Sequence, residues 1–407
     1  MLKRALVVEL TVIRLFESAL LVAAFVAAME TAARWWLRLV GAYYAFPPGL
    51  RLRLDIDRET FPELEPIVRF EINGDGERGH EVPRVRRGET LYRVLVAGGS
   101  QPECYLLDQD ASWPGALQRL LATPEHRRAL GASHVHVGSV ARSGVGAEAL
   151  EHMLSRVLPR YERLDVIVIL VGASDVLRWL EEGAPDSPSS AVSMPELFRC
   201  HPEGPFGWRP PQLAMAEIAG RVWRRSMRPV QIHDHAGRWI HDARAMRARA
   251  KVIRATLPDP TPMLAHFERH LRRAIHRASA HADRVIVVRQ SWFDKDTLTP
   301  EEAAHMWHGG VGQAWREEVT TYFSIDVTAR LMTLLDRRAA EVADGLGVEQ
   351  VDLRSVLEPS LDVYYDFFHL TPAGAHAVAA AVGAAILRRP QSLKKFSARP
   401  RDLTLAS

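Results

Sequence analysis

With 407 residues, 47% of them hydrophobic and 25% charged, the chain is large enough for a substantial core and too apolar to be mostly disordered. A formal charge of +3 gives no global reason to expect a nucleic-acid partner. Two cysteines, Cys104 and Cys200, exclude a disulfide framework, and no Cys-x-x-Cys or Cys/His finger spacing is present.

Residues 1–45 form the first unit. From Thr11 to Val40 the pattern predicts helix, with an uninterrupted apolar run from Ser18 to Met29. That run is shorter than the ~20 residues that span a bilayer, and a wider window admits Arg14, Glu17 and Glu30. Glu30, Arg34 and Arg38 then make one charged face beside Trp35 and Trp36. Three readings stay open: a signal anchor or membrane-embedded helix, an amphipathic helix on a membrane surface, and a long helix packed on its own protein. The first two make the chain membrane-associated; the last suits a cytoplasmic protein. Basic residues flank the run on both sides, so charge gives no orientation.

Residues 46–91 read as an extended lead-in that packs on the domain behind it. Pro47, Pro48, Pro62, Pro66 and Pro83 break helices, while alternation over 51–57 and 67–72 predicts short strands, and Asn73-Gly74 signals a hairpin turn. From Tyr92 to Arg388 strands and helices alternate. Strands are expected at 92–97, 134–140, 165–171, 284–288 and 348–353, with helices at 113–130, 147–160, 175–182, 262–282 and 327–346. A last helix opens at Thr371-Pro372, threonine as cap and proline in the first position. The pattern implies an α/β fold with a five-stranded parallel sheet and right-handed crossovers. Residues 183–261, between the third and fourth strands, are too long for a plain crossover. This helical insertion begins proline-rich and turns basic, with nine arginines and one lysine against two aspartates over 221–254. It reads either as a solvated helical face or as a lid or docking surface for an anionic partner, a polysaccharide or a membrane. Residues 389–407 read as a loose tail.

Two short stretches bear chemistry. Val94 to Ala97 is an apolar strand that runs into Gly98-Gly99-Ser100, so the Ser100 hydroxyl is placed at the carboxyl end of a parallel strand, where open α/β sheets bind ligands. Near the end of the chain, Asp366 and His369 stand three apart before the last helix, close enough for the carboxylate to accept the imidazole N–H. A buried hydrogen-bonded pair, a helix-start motif or half of a metal site would explain Asp-x-x-His equally well.

Taken together, Ala97-Gly98-Gly99-Ser100, Ser143-Gly144 after the second strand, Gly172-Ala173-Ser174-Asp175 after the third, and Asp366-x-x-His369 followed by Leu370-Thr371-Pro372-Ala373-Gly374 resemble the ordered blocks of the SGNH (GDSL-like) hydrolase family, in members with an N-terminal hydrophobic segment. The resemblance spans about Tyr92 to Leu387. It implies a flavodoxin-like three-layer αβα sandwich with strand order 2-1-3-4-5. It also implies serine acyl transfer with Ser100 as nucleophile, His369 as base then acid, and Asp366 orienting it. An oxyanion hole made by Ser100, Gly144 and Ser174 follows from the same resemblance, as does chemistry needing no metal or organic cofactor. The sequence departs from the family at Gly99 and Gln101 in the first block, at Arg142 beside Gly144, and at Ser174, which stands where an asparagine is usual. Losing one oxyanion donor typically costs about 10² to 10³ in rate, so Ser174 is the departure with most consequence.

The expected function is therefore a serine ester hydrolase acting on an acyl or acetyl ester of a small molecule, glycan or lipid. The alternatives are an O-acyltransferase to a sugar hydroxyl and a binding member without turnover. Met306 to Gly310 is a candidate substrate contact. His134 and His136 read as structural, His233, Asp234, His235 and His241 as exposed polar residues, and Cys104 as a neighbour of the site without activation.

Overall fold

The structure, a computed structural model, describes residues 2–37, 44–188, 213–233 and 235–388. The predicted tail, Cys200, and residues 189–212 of the insertion lie outside the described residues. Helix α1 (Leu2–Leu37) contains neither glycine nor proline. From Ile13 to Met29 every side chain is exposed, so the apolar surface goes all the way round and does not pack on the protein. The segment Ile13–Trp35, mean hydropathy 1.6, is long and apolar enough to cross a membrane.

In the lead-in, β1 (Arg51–Asp55) and β2 (Ile67–Glu71) pair antiparallel, with Leu52, Leu54, Val68 and Phe70 turned inward. The turn beyond is made by Asn73, whose Oδ1 accepts from the backbone N–H groups of Asp75 at 2.9 Å and Glu77 at 3.0 Å. Arg78 follows, buried over the Phe70 ring.

Strands and helices then alternate through β3 (Leu91–Gly98), α2 (Ser100–Glu103), α3 (Trp113–Leu121), α4 (Pro124–Ala129), β4 (His134–Ser139), α5 (Ala147–Val157), β5 (Leu164–Leu170) and α6 (Ala173–Glu181). The insertion supplies α7 (Ala214–Ser226), β6 (Val230–His233), α8 (His235–Ala248) and β7 (Val252–Arg254). The chain ends through α9 (Thr261–Ser279), β8 (Ala282–Arg289), α10 (Pro300–His305), β9 (Thr321–Phe323), α11 (Ile325–Leu346), β10 (Glu349–Asp352) and α12 (Pro372–Leu387).

The main sheet has the order β10-β8-β5-β3-β4, all parallel, which is the predicted 2-1-3-4-5 order. Helices α3 and α12 pack together in one layer, and α5, α6, α9 and α11 in another. Because both faces are covered, the strands are continuous apolar runs: Val166, Ile167, Val168, Ile169 and Leu170 are all fully buried. Burying each such side chain contributes about 1.5–3 kcal/mol relative to leaving it in water. The chain passes from β3 to β4 on one side and then to β5 on the other. This reversal opens a crevice at the carboxyl ends of β3 and β5.

The structure departs most from the predicted helices in the first crossover. The expected helix over 113–130 is two, because Pro124 cannot continue α3 and Thr123 instead caps α4 by accepting from the His126 N–H. The insertion also returns to the lead-in, since β6 adds to β1 in parallel and makes a second, three-stranded sheet. His136 is buried against Glu77 at 2.8 Å, and His134 meets Glu89 at 3.2 Å. His241 is exposed, while the side chains of His233, Asp234 and His235 lie outside the described residues.

Candidate active site

Ser100 is the first residue of α2, immediately after the glycine pair that ends β3. Gly98 has φ 156°, and a Cβ there would stand 1.8 Å from the Leu170 carbonyl oxygen of β5. At Gly99 a Cβ would meet the Val145 carbonyl oxygen at 2.9 Å. Both positions therefore admit only glycine without a shift of backbone. The turn is fastened from below by Arg78, whose guanidinium donates to the carbonyls of Glu103, Cys104 (2.8 Å) and Leu107 (2.6 Å). Gln101 ties it to the far loop, donating to the Phe368 carbonyl at 2.7 Å and accepting from the Gln290 amide at 2.8 Å. Cys104 donates its thiol hydrogen to the Gln101 carbonyl, and burial pushes that thiol up to about 11.

Asp366 and His369 come from the loop before α12. His369 Nδ1 lies 2.7 Å from Asp366 Oδ2, and its Nε2 lies 2.8 Å from Ser100 Oγ. With Nδ1–H donating to the carboxylate, Nε2 is left to accept the serine hydroxyl hydrogen. Asp366 is fully buried and is also reached by the backbone N–H groups of Phe368 (3.0 Å) and His369 (2.8 Å) and by the Trp307 indole N–H (3.0 Å). Burial works to raise its pKa. The facing His369 and His308 rings and these hydrogen bonds outweigh it and hold the carboxyl well below the usual range.

Ser100, Gly144, Ser174 and His369 line one cavity of about 100 Å³, with Asp366 behind His369. Gly144 has φ 75°, and its carbonyl oxygen accepts from the Arg178 guanidinium at 2.6 Å. The Ser174 hydroxyl lies near the nucleophile turn, 3.6 Å from where a Cβ on Gly99 would stand. Its neighbour Asp175 accepts the Ala147 N–H, at 3.0 and 3.1 Å, and so caps α5 directly behind Gly144. Burial pushes Asp175 up to about 6. Arg142, two residues before Gly144, holds its guanidinium over the Phe46 ring at 5.6 Å, outside the wall of the cavity.

The rest of the wall is mostly apolar and includes residues that sequence reasoning missed. Trp239 and Ile240 come from α8 of the insertion, Leu177 and Glu181 from α6, and Trp315 from the loop after α10. Trp239 packs edge-on to Trp307 with ring centroids 4.8 Å apart. Trp307 and His308, in the predicted contact stretch, do line the cavity. His308 is buried, and among the described residues neither ring nitrogen has a hydrogen-bond partner; burial lowers its pKa to about 3. Glu181 is pushed up to about 8 by burial, with Arg178 opposing. The basic insertion is also not simply a solvated face. Arg244 donates to the Tyr365 carbonyl at 2.8 Å and Arg247 to the His308 carbonyl, so α8 pins both loops that carry the site.

Among the described residues, two groups of side chains bring metal-ligating atoms within 4.8 Å of one another: His308, Asp366 and His369, and Glu148, His266 and His270. In the first, Asp366 and His369 already bond each other and Ser100. In the second, His270 is held by Glu151 at 2.7 Å and His266 faces Glu148 at 3.4 Å.

No protein-family model and no curated protein matches the sequence. Among solved structures the chain is similar to Axe2, an acetylxylan esterase from Geobacillus stearothermophilus, at 14% identity over 75% of this chain and 98% of that one, TM-score 0.39. It is also similar to LAE5, an alpha/beta hydrolase enzyme from the metagenome of Lake Arreo, Spain, at 12% identity over 74% of this chain and 97% of that one, TM-score 0.39. The fold stands on the strand order and register described above; likeness at these values adds nothing about chemistry.

Proposed function

We propose that this chain is a serine hydrolase, on the strength of one observation: a serine hydroxyl, an imidazole and a buried carboxylate in a hydrogen-bonded line, 2.8 and 2.7 Å, at the carboxyl end of β3. More narrowly, it is an SGNH-type esterase that cleaves an acyl or acetyl ester of a glycan or lipid. The Ser100 hydroxyl attacks the ester carbonyl as His369 Nε2 takes its proton, and Asp366 stabilises the imidazolium. The tetrahedral oxyanion is held by the backbone N–H groups of Ser100 and Gly144 and by the Ser174 hydroxyl. Collapse expels the alcohol, which takes the proton from His369. Water, activated by the same imidazole, then releases the acid and regenerates Ser100. Neither a metal nor an organic cofactor enters these steps.

An apolar wall with tryptophans at positions 239, 307 and 315 suits the flat faces of sugar rings or an acyl chain. The exposed α1 is read as the membrane anchor, which makes the enzyme membrane-associated. The test is release of acid from a chromogenic acetyl ester and from acetylated oligosaccharides by the detergent-solubilised full chain. Turnover of acetyl esters supports the reading; a folded chain inert toward acetyl and longer acyl esters contradicts it.

A further inference from the structure

Helix α7 is built the wrong way round for a helix in water. Its polar stripe, Glu217, Arg221 and Arg224, faces the protein: Glu217 is fully buried and accepts from Arg221 at 2.7 Å and Arg224 at 3.0 Å. Arg221 goes on to the Tyr44 hydroxyl at 2.7 Å, and Arg224 to the Pro48 carbonyl at 2.7 Å. The opposite face, Ala216, Ala219, Val222 and Trp223 with Ser226 at its end, is turned outward, and the exposed Met227 follows just past the helix. Val222 is 62% exposed, Trp223 64% and Met227 45%. A soluble amphipathic helix shows the reverse arrangement, and a contiguous exposed apolar stripe marks a surface made for another apolar phase.

The same helix is fastened to α1. Glu30, just past the apolar run, accepts from the Ala214 N–H at 2.7 Å and the Met215 N–H at 3.1 Å, so its carboxylate caps the start of α7. Thus α7 begins beside the last turns of the candidate membrane segment, which runs on past Glu30 to Trp35. Arg225, exposed on the flank of the helix, is paired with Glu81 at 2.9 Å, while the exposed Arg228 just beyond adds positive charge for anionic headgroups.

We infer that α7 is a second membrane contact, an interfacial helix that lies in the headgroup layer of the bilayer entered by α1, with Trp223, Val222 and Met227 among the acyl chains; this rests on the reading of α1 as membrane-embedded. Interfacial helices bind by buried apolar area together with attraction to anionic lipid, and tryptophan favours that depth. Since α7, β6 and α8 follow one another, lipid contact holds the part of the molecule that also carries Trp239 and Ile240.

The test uses the full chain with Cys200→Ser, reconstituted in mixed phosphatidylcholine–phosphatidylglycerol vesicles. Spin labels are placed singly at Leu21→Cys, Trp223→Cys, Met227→Cys and Arg225→Cys, and collision with oxygen is compared with collision with a water-soluble nickel chelate. Oxygen is expected to dominate at 21, 223 and 227, and the ratio to invert at 225. If 21 is lipid-exposed while 223 and 227 meet the nickel chelate, the inference about α7 is overturned and α1 remains an anchor. If all three meet the chelate, both fall. Dipolar broadening at 223 that vanishes on dilution with unlabelled protein would assign the face to a second copy. Shielding from both reagents would assign it to residues 189–212. Either result overturns the proposal.

Discussion

Glu103, the last residue of the short helix opened by Ser100, accepts both the backbone N–H of Ser143, at 2.7 Å, and its hydroxyl. One buried carboxylate thus couples the nucleophile turn to the loop that presents Gly144. Glu103→Gln keeps the size but brings a neutral acceptor and a donor into a site that offers two donors. The expected result is a fall in kcat of up to about 10², the scale of one oxyanion donor misplaced, with KM little changed. Unchanged kcat would show that the coupling has no part in turnover.

Ser174 lines the cavity, and its hydroxyl lies beside the nucleophile turn. If the hydroxyl donates to the oxyanion, Ser174→Ala loses about 10² or more in kcat, while Ser174→Asn keeps or exceeds the parent rate. Equal rates for parent and alanine variant would leave the backbone donors as the whole oxyanion hole.

Glu181 introduces a pH limit. Burial lifts it from 4.5 to about 8, so at neutral pH the cavity wall holds a neutral acid that becomes an anion above that value. Negative charge there disfavours an oxyanion in the same cavity, so kcat/KM is expected to decline above about pH 8 in the parent and to stay level in Glu181→Gln. Because the folded value lies above the unfolded one, the parent also loses stability relative to Glu181→Gln as pH rises from 4.5 through about 8. Identical pH profiles in rate and melting temperature for the two proteins would refute this.

Much of the sheet is legible in the sequence because its strands are covered on both faces, which leaves continuous apolar runs such as Val94 to Ala97. Asp366 and His369 are local, and three residues of loop suffice to bring their side chains together. Ser100 and His369 are 269 residues apart, and only the order of the sequence blocks hints that they meet. The insertion is the part least legible. A helix carrying Arg244 and Arg247 reads as a solvated face or as a lid or docking surface, since the carbonyls that these arginines satisfy, at Tyr365 and His308, belong to distant loops. The same tertiary contacts bring Trp239 and Ile240 to the cavity, where sequence periodicity alone would make them ordinary core.

The most direct test of the central claim is labelling of the full chain with a fluorophosphonate, mapped by peptide mass spectrometry, beside ester turnover in parent, Ser100→Ala and His369→Ala. The account predicts one modified serine, Ser100, no label in Ser100→Ala, greatly slowed labelling in His369→Ala, and turnover lower by about 10⁴ or more in both variants. Turnover that survives in Ser100→Ala, or a label on a different serine that tracks with activity, would contradict it.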